Sequence, residues 1–423
     1  MRSVLGRASA AAILFPLLLS AADSRLFEAV QARDQNSVLT LLRGGSDVNG
    51  ARDDGSTPLI WAAGRDDMEI VAALLKAGAN PNKADENGDT ALLEAAGNGN
   101  TVLVRMLLSA HAEVNAARWN GDTPLLAAVN AGNQQLVQLL VDKGAKIDAT
   151  EQRMGQTPLM WAAAEGRSAI VKLLILRGAD VNAASANGFT PLLFAAQRGD
   201  AEAARTLLEA KADPLAKSKD GNTAFLIALA RGNEDVARMM LDYGVDVNAR
   251  DQTGATPLHE AARQGKIELA RDLVKRGADL TAKAERAGRA AVPGAGANGL
   301  TPFLAAAEAG NAPMMKELIA LGGDAKAISP DGSGAVVLAA TSRNFDAVRM
   351  AVELGLDVNQ APKGRPTALH AAVKAGNNEM VQYLVDHGAN LNARDNFNRT
   401  PLGEAEFEAP APTIELMRKL SAR

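Results

Sequence analysis

An all-α fold, an α solenoid of about twelve stacked helix–turn–helix units with β-hairpin fingers, is predicted by three features of the sequence. A three-residue phrase recurs along the chain at a nearly fixed interval. An apolar quartet follows it at helical spacing, and a glycine then closes most units.

The phrase appears as Thr57-Pro58-Leu59, Thr90-Ala91-Leu92, Thr123-Pro124-Leu125, Thr157-Pro158-Leu159, Thr190-Pro191-Leu192, Thr223-Ala224-Phe225, Thr256-Pro257-Leu258, Thr301-Pro302-Phe303, Thr367-Ala368-Leu369 and Thr400-Pro401-Leu402. The steps are 33 residues, apart from 34 between Thr123 and Thr157 and 45 between Thr256 and Thr301. Midway between Thr301 and Thr367, Gly334-Ala335-Val336 keeps the register without a threonine. A threonine hydroxyl accepts hydrogen bonds from the first free amides of a helix, and a proline just after it has its φ preset and no donor to waste. Each phrase therefore starts a helix.

Thirteen and fourteen residues after the threonine stands an apolar pair, and four residues later another, as in Ile70/Val71 with Leu74/Leu75 and Leu103/Val104 with Leu107/Leu108. That spacing is one face of a second helix. Gly45, Gly78, Gly144, Gly178, Gly244, Gly277, Gly322, Gly355 and Gly388 follow, where a left-handed residue closes a helix. His111 and Lys211 take the same register in two units, at a cost of about 1 kcal/mol for a left-handed non-glycine. Those two junctions are expected to be weaker or slightly reshaped. Extended stretches such as Asp47-Val48-Asn49 and Asp180-Val181-Asn182 come next, then Asn-Gly or Asp-Gly turns such as Asn87-Gly88 and Asn120-Gly121, which are hairpin signals.

In these phrases the sequence resembles the ankyrin-repeat family over about residues 24 to 420, with Gly178-Ala179-Asp180-Val181-Asn182-Ala183 following the family's closing phrase in full. The resemblance implies a curved array with its fingers at roughly right angles to the helix pairs. It also implies that ligands lie across finger tips and first helices. The chain accordingly divides into a signal peptide (1–22), an N-terminal capping repeat (23–56), the repeat array (57–399) with a loop insertion near 284–296, and a C-terminal capping repeat (400–423). In the first cap Leu26, Phe27, Ala29 and Val30 are placed to cover the array while Arg25, Glu28, Gln31 and Arg33 face water.

The signal peptide is read from Arg2 and Arg7 ahead of the apolar run Ala8 to Leu19, followed by Ser20-Ala21-Ala22. Cleavage after Ala22 is expected, with a periplasmic or secreted product and no membrane span in the mature chain. There is no cysteine, which removes disulfides, thiol nucleophiles and Cys-ligated zinc. A formal charge of −4 with interleaved signs carries no basic block that could track a phosphate backbone, so nucleic acid is excluded as a partner.

Each motif that could carry chemistry has a structural explanation. The four histidines fall in separate units with no ligand spacing. His259 and His370, three residues after their threonines, match a position at which the family commonly holds a histidine in local hydrogen bonds. Gly294-Ala295-Gly296-Ala297-Asn298-Gly299 has the letters of a dinucleotide fingerprint but lacks the strand before it and the helix after it. No catalytic residue, cofactor or metal is therefore assigned.

Trp119 stands at a finger tip where the phrase requires nothing apolar, and an exposed tryptophan is a typical interface anchor. Arg52, Asp53, Glu86, Arg118, Met154, Asn187, Asp220 and Gln252 are the variable tip residues, and Trp61, Trp161 and Phe194 lie on first helices four residues after their threonines, where packing between repeats is as good a reading as partner binding. The expected function is an exported protein–protein interaction scaffold, a monomer that binds a partner protein through these positions. The alternative is an exported effector or toxin-associated protein acting on another cell. An enzyme is a third reading, for which little chain remains outside the repeats.

Overall fold

The computed structural model describes residues 25–251, 253–284, 299–361 and 365–422. The signal segment 1–22, Gln252 and, apart from Ala284, the insertion near 284–296 lie outside the described residues. The chain divides into two compact units, Met1–Gly221 and Asn222–Arg423.

Repeats in both units pair a short helix with a second one at least as long, as in Pro58–Gly64 with Met68–Lys76 and Pro302–Glu308 with Ala312–Ala320. The threonine is extended, with φ −104° and ψ 161° at Thr57, and its hydroxyl accepts the Ile60 amide at 3.3 Å. Thr90, Thr123, Thr157, Thr190, Thr223 and Thr301 cap their helices in the same way. In the second helix Ile70, Val71 and Leu74 are buried, while Leu75, the last of the quartet, is half-buried at its edge.

Neighbouring repeats within a unit are also joined by a recurring asparagine. The Asn82 amide donates to the His111 carbonyl at 3.0 Å, and its oxygen accepts the Glu113 amide at 2.7 Å. Asn49, Asn115, Asn182, Asn248 and Asn359 make the same pair of bonds. This fixes a reason for the Asp-Val-Asn phrase that helix periodicity does not supply. The second unit has one joint where both devices are missing: Lys326 stands in the asparagine register and Gly334 in the threonine register. A cleft of about 270 Å³ opens there, lined by Lys326, Ile328, Gly334, Val336, Leu356 and Gln360.

His111 and Lys211 adopt the left-handed conformation without reshaping their junctions, with φ of 66° and 70°. The amides that close the helix keep their partners: Ala112 donates to the Leu107 carbonyl at 3.0 Å, as Ala79 does to Leu74. At Gly78 an added Cβ would meet nothing within 4 Å, so in this register a side chain costs backbone strain but no collision.

The fingers differ from the expected hairpins. Among the described residues no β-ladder forms, only one isolated bridge between Ala284 and Leu300. A typical finger is a turn closed by two bonds, Asp85 N–H to the Asp89 carbonyl and Gly88 N–H to the Asp85 carbonyl, each 3.0 Å. So few residues cannot extend a ladder, and the next free donor goes to the neighbouring finger instead. The Trp119 amide donates to the Asn87 carbonyl at 3.0 Å.

The residue that opens the turn also caps it from its side chain. Asp85, Asp251 and Asp395 each accept two amides of their own turns, and Ser185 and Ser329 accept one. The single 34-residue step places an extra residue in the finger that begins at Glu151. The longer side chain spans the wider turn, and the buried Glu151 carboxylate accepts the amides of Arg153 at 2.7 Å and of Met154 and Gln156 at 2.9 Å.

Leu26, Phe27, Ala29 and Val30 are buried, and Arg25, Glu28, Gln31 and Arg33 are exposed; at the other terminus Met417 and Leu420 are buried on Ala411–Ser421. Replacing Glu151 with Ala leaves three amides without their acceptor and should destabilise this finger by roughly 2 kcal/mol. Hydrogen exchange at Arg153, Met154 and Gln156 should accelerate, with Gln a partial replacement.

Candidate functional site

In the first unit the finger tips form a continuous edge. Each of five successive fingers donates one backbone amide to the finger before it: Glu86 to Asp54 at 2.9 Å, Trp119 to Asn87 at 3.0 Å, Gln152 to Asn120 at 2.7 Å, Ala186 to Met154 at 2.6 Å and Lys219 to Asn187 at 2.9 Å. These bonds hold successive tip residues in register. Asp53, Glu86 and Asn187 are exposed on this edge, and Met154 is half-buried. Trp119 is 69% exposed, the most open tryptophan of the chain.

Arg118 precedes it in the register where Asp85 and Ser185 accept turn amides. A guanidinium has no acceptor to offer. Asn120 takes over that duty, accepting the Asp122 amide at 3.0 Å, and Arg118 turns back along the array. Its Nε pairs with Asp89, and one terminal nitrogen lies 3.2 Å from Glu94 on the first helix of the preceding repeat. Asp122 stands 4.0 Å away. Burial, and next the Asp89 charge, hold the Glu94 carboxyl above the usual range against the opposing pull of Arg118. Gly64 leaves the room Glu94 needs, because a Cβ there would come within 2.9 Å of its Oε2.

Arg52 shows the same exchange of roles. Asp54 accepts the Ser56 amide at 2.9 Å, and the freed guanidinium lies 4.2 Å from the Phe27 ring centre and 5.4 Å from that of Trp61. The Trp61 indole packs edge-on against Phe27 and donates to the Ser56 hydroxyl at 3.2 Å. Trp161 is half-buried, and its indole N–H is enclosed without an acceptor. Phe194 packs on Phe189 at 5.2 Å.

The structure thus joins Arg52 with Trp61, seats Arg118 among carboxylates, and leaves Trp119, Asp53, Glu86 and Asn187 facing solvent. Asp89 and Glu94 escaped the sequence reading, which placed Phe27 only among the residues that cover the array. The charge of Glu94 in a register where neighbouring repeats carry Trp61, Ala127, Trp161 and Phe194 was the available signal.

His259 and His370 bridge repeats in the second unit. Nδ1 of His259 accepts the Thr256 amide at 3.1 Å, which leaves Nε2–H to donate to the Leu300 carbonyl at 2.8 Å. His370 repeats this with Thr367 at 3.2 Å and the Arg399 carbonyl at 3.1 Å. Both rings serve the join between repeats.

The sequence model of a family described as ankyrin repeats (3 copies) matches residues 26–118, 110–185, 127–218 and 192–284, and one described as ankyrin repeats (many copies) matches 352–405. An L-asparaginase of Dirofilaria immitis is 38% identical over 69 residues, which are 16% of this chain and 12% of that protein. Alpha-latroinsectotoxin-Lt1a of Latrodectus tredecimguttatus is 37% identical over 82 residues, 19% of this chain and 6% of the toxin. Ankyrin repeat-containing protein P1E11.10 of Schizosaccharomyces pombe is 34% identical over 65 residues, 15% of this chain and 31% of that protein. The chain spans less than a third of the length of each of these relatives. The solved ankyrin repeat domain of Bcl-3, titled a unique member of the IkappaB protein family, is 32% identical, with a TM-score of 0.46 over 51% of this chain and 98% of that one.

Burial holds the His259 ring neutral, lowering its pKa from 6.5 to about 4, and burial lowers that of His370 as well. A depressed histidine contributes stability that is complete above pH 6.5 and is lost as pH falls toward 4, because the unfolded chain takes up the proton first. For His259 that loss is on the order of 3 kcal/mol. Intrinsic-rate-corrected hydrogen exchange in the helix Pro257–Gln264 should therefore quicken across this window, and His259→Gln should remove that acid sensitivity.

Proposed function

Because the chain belongs to the ankyrin-repeat family, we propose that it is an exported protein–protein interaction scaffold that grips its partner across the finger tips and first helices of the first unit, with Trp119 as anchor. Ankyrin repeats are protein–protein interaction modules, and domains of this kind are generally binding scaffolds without enzymatic activity. A stacked array preorganises many contact positions, so little conformational entropy is lost when a partner is bound.

The observation that carries the reading is the exposed Trp119 indole on a tip fixed by backbone bonds through Trp119 and Gln152. Anchors of this kind are large, rigid aromatic groups with few rotatable bonds. Arg118 contributes by bracing the finger against Asp89 and Glu94, and Arg52 by stacking on Phe27 and Trp61. The charged and aromatic residues beneath the tips are thereby held as a firm floor.

Export rests on the pattern of residues 1–22, and in this reading the mature protein starts at Asp23 and works as a monomer in the periplasm or outside the cell. Mass spectrometry of the protein recovered from its native host should find Asp23 as the N-terminus; a chain that retains residues 1–22 in the cytoplasm would overturn export.

Affinity capture from the corresponding extract tests the anchor. Trp119→Ala, which removes an exposed side chain and should leave the thermal midpoint in place, should weaken the captured partner at least tenfold. Unchanged capture would remove Trp119 from the interface.

A further inference from the structure

We propose that the tips of Asp53, Glu86 and Trp119 form a receptor for an extended, cationic partner segment, with one lysine or arginine of that segment lying on the open face of the Trp119 indole. The proposal rests on the interaction reading above and specifies the chemistry of the partner.

The first observation concerns which aromatic faces the protein covers for itself. Arg52 lies over Phe27 and Trp61, Arg349 over Phe345 at 4.8 Å, and Arg399 over both Phe397 at 4.7 Å and Phe407 at 5.1 Å. Phe397 and Phe407 are as exposed as Trp119, yet each already has a guanidinium against its face. Among the described residues no ring and no cation lies against Trp119. Its sequence neighbour Arg118 is held by Asp89 and Glu94 and cannot supply one. Tryptophan offers the best aromatic face for a cation, and the attraction strengthens as the contact is desolvated.

The second observation is the charge along the edge. The residues equivalent to Trp119 on the two preceding fingers are Asp53 and Glu86, both exposed and neither in an ion pair among the described residues. Beyond Trp119 the edge loses its negative balance, through Gln152, Arg153, Ala186 and the neighbouring Lys219 and Asp220. The complementary segment therefore carries its positive charges over the first three fingers and not over the later ones.

Spacing identifies the conformation of that segment. Packed helical layers repeat at roughly 8–10 Å. A polyproline II segment has three residues per turn and a rise of about 3.1 Å, so every third side chain returns to one face after roughly 9 Å. Cations at positions i, i+3 and i+6 of such a segment would meet Asp53, Glu86 and Trp119 in turn, whereas in a β-strand residues three apart point to opposite faces.

The test uses the full chain and a fluorescein-labelled peptide of three Lys-Pro-Pro triplets, with Glu-Pro-Pro triplets as comparator, read by fluorescence anisotropy at low and high salt. The lysine peptide should bind, weaken as salt rises, and be strongly preferred over the glutamate peptide. Trp119→Ala should weaken it about tenfold and Asp53→Asn with Glu86→Gln about fivefold, at unchanged thermal midpoints, while Glu406→Gln with Glu408→Gln leaves it unchanged. The proposal is overturned by no binding, by equal binding of the two peptides, by indifference to Trp119→Ala or to the Asp53/Glu86 pair, or by an equal loss in the Glu406/Glu408 control. If captured partner still depends on Trp119 while the lysine peptide fails to bind, the cationic specificity falls and the scaffold reading stands. If capture is indifferent to Trp119, the anchor itself falls.

Discussion

The first helix of every repeat is only seven or eight residues long, and the structure depends on how its exposed amides are satisfied. A helix leaves its first four N–H groups without internal acceptors, which in helices this short is about half of all their donors. The threonine hydroxyl takes one of them, and proline at the next position removes another. At Thr256 and Thr367 a histidine extends the device, tying the cap's own amide to a carbonyl of the following repeat. Where glycine replaces threonine, at Gly334, the Gln360 side chain takes the vacated space, since an added Cβ would come within 2.8 Å of its Cγ, and a cleft opens beside the pair.

The finger follows the same logic on a smaller scale. A turn exposes amides, and a short acceptor at its first residue satisfies them, with aspartate or serine for the common length and glutamate for the longer one. Once that duty passes to a later residue, as at Asp54 and Asn120, the first position is released. Arginine occupies both released positions, Arg52 and Arg118, and each reaches sideways to a neighbouring element. The fingers that break the capping pattern are therefore the ones whose side chains knit the edge together.

That edge makes an exposed anchor possible. A tryptophan on a free loop would lose conformational entropy on binding, whereas Trp119 sits on a tip bonded on both sides and backed by the Arg118 carboxylate cluster. The indole is free while its backbone is not. The adjoining Asp53 and Glu86 are likewise uncommitted, in contrast to Asp89 and Glu94 just beneath them.

What the sequence by itself determined was everything local to one repeat. The threonine caps, the paired helices, the closing turns at Gly78 and its equivalents, and the solvent position of Trp119 all follow from residues within a few places of one another. The left-handed His111 and Lys211 were placed correctly, though not the ease with which their junctions accept them. Tertiary structure decided whatever crosses from one repeat to the next. Arg118 is placed against Glu94, 24 residues upstream, only by stacking, and Arg52 meets Phe27 only because the segment that carries Phe27 packs against Trp61. Among the described residues the fingers carry true turn signals but form no ladders of their own, and in the first unit the next donor of each finger serves the finger before it. Periodicity records how a unit folds, whereas the choice of partner across a joint depends on side-chain reach and on which acceptors the unit has already used.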